Sequence, residues 1–105
     1  MQTYVKDGVL FFFPGANLVS DTIVELRESF FAGIRNNPEN TVVLDAYGIE
    51  ILDFAGVNLI ISLYKELIYS SRKFRIINAH DRFMKVACFF KFPELFPVER
   101  EKGAP

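Results

Sequence analysis

Residues 41–64, TVVLDAYGIEILDFAGVNLIISLY, constrain the fold more than any other segment of this chain. Thr41 to Leu44 is short, apolar and rich in β-branched residues, which reads as a buried strand ending at Asp45. A brief connector leads to a second aspartate, Asp53, and an apolar stretch of helical length starts immediately after it. A strand feeding a helix of this length implies a crossover connection, and therefore a sheet with parallel pairs and helices packed on it.

The flanking segments extend that pattern. Thr3 to Lys6 and Val9 to Phe13 read as two strands around Asp7-Gly8, a dipeptide suited to a tight hairpin turn. The run Val9-Leu10-Phe11-Phe12-Phe13 does not alternate, which predicts a central strand covered on both faces and ended by Pro14-Gly15. Ile23, Leu26, Phe30, Phe31 and Ile34 recur at helical spacing and predict a first helix over 20–36. Thr22 and Glu25 match a capping box, with Ser20 and Asp21 as other caps, and Asn37-Pro38 stops the helix. A second helix is predicted over 54–71, a strand over 73–78 and a third helix over 81–90, with Phe83, Val86, Ala87 and Phe90 on one stripe. Leu95 to Val98 can add a short last strand. The expected architecture is a single α/β domain over residues 1–98, a mixed sheet of four to five strands with helices packed on it, followed by a tail over 99–105.

Composition excludes several functional classes. A chain of 105 residues forms one domain and can hide roughly 65% of its unfolded surface. Half the residues are apolar and twelve are Phe, so a core needs neither metal nor disulfide. Cys88 is the one cysteine and cannot bridge internally, which fits a reducing cytosol. Twelve basic against thirteen acidic residues provide no field to displace counterions from nucleic acid. No apolar run approaches the roughly 20 residues that span a bilayer, so direct membrane insertion is not expected. The N-terminal MQTYVKDG lacks a signal-peptide pattern. A soluble, cytoplasmic domain is the expectation.

Gly15 after the second strand, Asp45 after the third, Asp53 and Gly56 at the second helix, and Pro93-Glu94-Leu95-Phe96-Pro97-Val98 near the end form an ordered set. That set resembles the STAS domains, bacterial signalling modules typified by anti-sigma-factor antagonists, over about residues 3–98. In that family a serine follows the second aspartate. The resemblance implies that a partner kinase, itself an anti-sigma factor, phosphorylates this serine, that a phosphatase reverses the modification, and that only the unmodified form binds. A phosphate there would add about −1.5 to −2 charges beside the binding surface. In this chain the position is Phe54 and the next is Ala55, neither of which carries a hydroxyl.

The resemblance therefore implies a non-catalytic protein-binding module without control at the usual position. Its partner would be an anti-sigma factor or serine-kinase-like protein, and Asp53, Phe54, Ala55, Gly56 and Asn58 would lie in the contact. The alternative is a structural or regulatory subunit of a larger assembly, such as a stressosome or an ABC lipid transporter. A homodimer is possible through the same apolar helix, and a small-molecule module using the loop after Phe13 is a third reading.

Individual residues allow two readings each. Asp53 can cap the second helix or touch a partner directly. Phe54 can fold into the core or stand out as an anchor, since aromatics often dominate interfaces. Gly56 permits close backbone approach. The second helix is apolar on more than one face, so it is deeply buried or presents an apolar strip, with Asn58, Ser62 and Lys65 as its polar side. Ser20 and Thr22 are helix caps first and alternative phosphoacceptors second. His80 suits a turn or cap before the third helix, and Cys88 suits a buried apolar role. No catalytic arrangement, metal-ligand spacing or cofactor motif is apparent.

Overall fold

The computed structural model describes residues 1–102. The elements are β1 (Gln2–Lys6), β2 (Val9–Phe13), α1 (Ile23–Asn36), β3 (Thr41–Asp45), α2 (Phe54–Tyr69), β4 (Lys73–Ala79), α3 (Asp81–Phe89), a 3-10 turn (Phe92–Glu94) and β5 (Val98–Arg100). The strands form one sheet in the order β1-β2-β3-β4-β5. Asp7 and Gly8 both adopt positive φ (53° and 78°), as a two-residue hairpin with matching twist requires. They join β1 and β2 antiparallel, and every other neighbouring pair is parallel.

Sheet order follows chain order from β2 to β5, and such crossovers are right-handed, so all three helices lie on one face. Leu10 and Phe12, Val42 and Leu44, and Phe74 and Ile76 point to that face. They share one buried cluster with Phe30 of α1, Leu63 of α2 and Phe83 of α3. On the opposite face Lys73 and Arg75 are exposed, and Tyr4 stacks on Phe11 with ring centroids 5.1 Å apart. Val43 is buried there without belonging to the helix-covered cluster. β2 thus differs from its expected two-sided burial: Leu10 and Phe12 are buried, whereas Val9, Phe11 and Phe13 are half-buried. Aromatic neighbours on the sheet, rather than a second layer of helices, shield that side.

Three local features depart from the sequence reading. α1 begins at Ile23, and the capping box does not form. The Thr22 hydroxyl donates instead to the carbonyls of Asn17 (2.8 Å) and Val19 (3.1 Å), which tightens the preceding loop. The last strand is Val98–Arg100, so Leu95 to Pro97 precede the sheet and β5 extends past residue 98 into the segment read as tail. Pro97 has no N–H for a ladder and contributes only its carbonyl, which accepts from Ile76 N at 2.9 Å. Residues 103–105 of that tail lie outside the described residues. Finally, Cys88 is exposed, because it falls off the stripe that buries Phe83 and Ala87.

Candidate functional site

The start of α2 is where sequence and geometry converge. The Asp53 backbone is extended (φ −93°, ψ −173°), which lets its side chain fold back over the helix's first turn. Oδ1 accepts from the N–H groups of Ala55 (2.9 Å) and Gly56 (3.1 Å). Oδ2 accepts from the N–H (3.0 Å) and hydroxyl (3.1 Å) of Ser20 in the β2–α1 loop. One carboxylate therefore caps the helix and holds a distant loop against it. The Ser20 amide, followed by the other three donors, holds the Asp53 carboxyl below its ordinary range.

Asn17 adds a second strap. Its Oδ1 accepts from the N–H groups of Glu50 and Ile51, both at 2.9 Å. Leu18 pairs with Leu52 as an isolated bridge, with Leu18 N donating to Ile51 O and Asp53 N donating to Leu18 O. Gly56 sits directly beneath this bridge: a Cβ there would collide with the Leu18 carbonyl and side chain and the Leu52 methyl. Gly56 is buried, so of the five residues expected to meet a partner it serves packing instead.

Phe54 is 74% exposed at the first helical position, which corrects the core reading. Its ring meets Phe90 edge-on at 5.9 Å, and Phe90 in turn meets Phe89 at 5.1 Å. Phe89 is 79% exposed and Ile51, before the cap, is 49% exposed. Asn58 lies exposed one turn along and Ala55 is half-buried. Phe54, Asn58 and Lys65 fall at i, i+4 and i+11 on one helix face. The polar strip of α2, projected back one turn, would have placed Phe54 outside the core. Phe89 carried a similar signal, being off the α3 stripe, whereas nothing local marks Asn17 as a bridge.

Ser20 is exposed and faces Asp53, while Thr22 is half-buried and committed to its own loop. His80 caps α3, its Nδ1 accepting from Arg82 N at 3.2 Å. Among the described residues no three His, Cys, Asp or Glu side chains cluster as a metal site, and no helix is long and apolar enough to cross a membrane.

The model of the STAS domain family matches residues 1–103. No curated protein sequence matches. A crystal structure from Thermotoga maritima, described as that of a candidate anti-sigma factor antagonist, superimposes with a TM-score of 0.85 at 15% identity, covering 93% of this chain and 84% of that one. A Planctomyces limnophilus STAS domain protein, described as an anti-sigma-factor antagonist, gives 0.83 at 16% identity, over 96% and 89%. The anti-sigma factor antagonist SpoIIAA in its unphosphorylated form gives 0.70 at 17% identity, over 97% and 88%.

Proposed function

The chain belongs to the STAS domain family, and from that premise we propose that it is a non-catalytic protein-binding module whose docking surface is the start of α2. The observation that carries this reading is Phe54 itself. A phenylalanine left 74% exposed on a helix start, and linked through the Phe90 ring to exposed Phe89, forms an apolar surface already fixed in shape. Little ordering cost remains for a partner to meet. The Asp53 cap and the Asn17 strap hold the surface in place, and Asn58 adds a polar group at its rim.

By analogy with anti-sigma-factor antagonists, the partner is an anti-sigma factor or serine-kinase-like protein in a bacterial, cytoplasmic signalling circuit. Phe54 and Ala55 offer no hydroxyl, so control would come from the amount of protein rather than phosphorylation at the helix start. The Ser20 hydroxyl donates to the Asp53 carboxylate beside the helix start, so a phosphate on it would repel that carboxylate.

Affinity for a serine-kinase-like anti-sigma factor that co-purifies with it, measured with wild type and Phe54→Ala, tests the docking surface. Truncation is expected to weaken binding by about 1 kcal/mol or more. Equal affinities with the fold intact would place docking elsewhere. Incubation with the same kinase and ATP should leave the intact mass unchanged, and an added phosphate would refute the absence of a switch.

A further inference from the structure

We propose that the cavity bounded by the C-terminal half of α2, the edge of β4 and the segment before β5 binds an amphipathic organic anion, of the size and chemistry of a medium-chain carboxylate. The cavity has a volume of about 430 Å³, and ligand pockets typically fall in the range of roughly 300–1,000 Å³. Its walls are apolar, formed by Tyr64, Ile68, Phe74, Leu95 and Phe96. Phe96 packs its ring 4.9 Å from Phe74 and 5.2 Å from Tyr64, which gives the interior a rigid aromatic lining. Ile68 and Leu95 remain about half exposed beside it, so apolar surface stays in contact with water in the empty cavity.

The polar groups at this site are one-sided in charge. Lys73 and Arg75, which leave β4 on the face away from the helices, reach the cavity along the strand's edge and are exposed, and among the described residues no carboxylate lines it. Arg72 adds a third positive charge, although three of its five N–H donors are taken by the carbonyls of Ile34, Asn37 and Glu39. In a chain of net charge −1, three cations around one apolar cavity select an anionic head group. β5 pairs with β4 only from Ile76 onward. Lys73 N donates toward the β3 side and Ile76 N toward the β5 side, so alternation leaves the main-chain N–H and C=O of Phe74 on the cavity side. That N–H is a further donor for the head group. A peptide strand added to this edge would find only one residue with both groups available, which favours a small ligand. The cavity lies about 20 Å along α2 from Phe54, at 1.5 Å per residue, and is independent of the docking surface.

Titration with dodecanoate, followed by amide chemical shifts, tests the site. Saturable shifts are expected at Phe74, Leu95 and Phe96, with Phe54 and Phe89 unmoved. Dodecyltrimethylammonium, with the same tail and the opposite charge, should bind at least about tenfold more weakly, and so should dodecanoate to the Lys73→Glu/Arg75→Glu variant. Absence of saturation up to about 1 mM, equal affinity for the two amphiphiles, or shifts centred on Phe54 would overturn the proposal. If the double variant fails to fold, the comparison of the two amphiphiles on wild type decides.

Discussion

Asp53 shows how much one side chain can organise. Four donors converge on its carboxylate from two segments of the chain, and they favour its ionised form. Its pKa is lowered on folding, so the stabilisation is complete above the ordinary aspartate value and is lost as pH falls through the lower folded value. The gap in thermal midpoint between wild type and Asp53→Ala should therefore be constant near neutral pH and close below about pH 4. Gly56 supplies the complementary case. Gly56→Ala forces a methyl into the Leu18–Leu52 bridge and should destabilise by about 1–3 kcal/mol in urea unfolding. Phe54→Ala, by contrast, should change stability by no more than about 0.5 kcal/mol, because the side chain is mostly in water. The sequence made Asp53 and Gly56 readable, since a cap before an apolar helix and a glycine in its first turn have few other uses. Phe54 was harder to read, because the amino-acid type points inward while its helical position points outward.

Among the elements, Arg72 is the main connection between the end of α1 and the start of β4. Its guanidinium reaches three carbonyls, those of Ile34 (3.2 Å), Asn37 (2.8 Å) and Glu39 (2.7 Å). Arg72→Ala should cost about 1–3 kcal/mol in denaturant unfolding, and Arg72→Lys should recover little of it, because an ammonium lacks the planar fork. Strands and helices themselves were legible: periodicity placed α1, α2, α3 and β1 to β4 within a few residues of their observed bounds. The errors occurred where a local signal had a competing long-range use. Thr22 fits a capping box, but its hydroxyl closes the loop that brings Ser20 to Asp53. Leu95 to Val98 looks strand-like, but two prolines delay pairing until Val98. The straps from Asn17 and Ser20 span more than thirty residues and have no sequence period to betray them.

At the scale of the whole molecule, the sheet is covered on one side only. Sequential right-handed crossovers require that arrangement, so it follows from the element order, although the unbroken apolar run of β2 suggested otherwise. Protection should vary accordingly. In native-state hydrogen exchange, Val42 to Leu44 of β3, buried between two paired neighbours, should exchange slowest among the strands. β1, exposed along its whole length at the edge, should exchange fastest. Uniform rates across the sheet would contradict this gradient. The hairpin at Asp7-Gly8 has a kinetic consequence as well. It is the one pairing whose strands adjoin in the chain, while β2, β3 and β4 meet partners roughly thirty residues away. An isolated hairpin forms in about 1–10 μs, but every parallel pair must first close a long loop. Folding speed is thus governed by the search that brings β2 and β3 together, and lengthening the α1 connection should slow refolding while leaving the hairpin's own formation untouched.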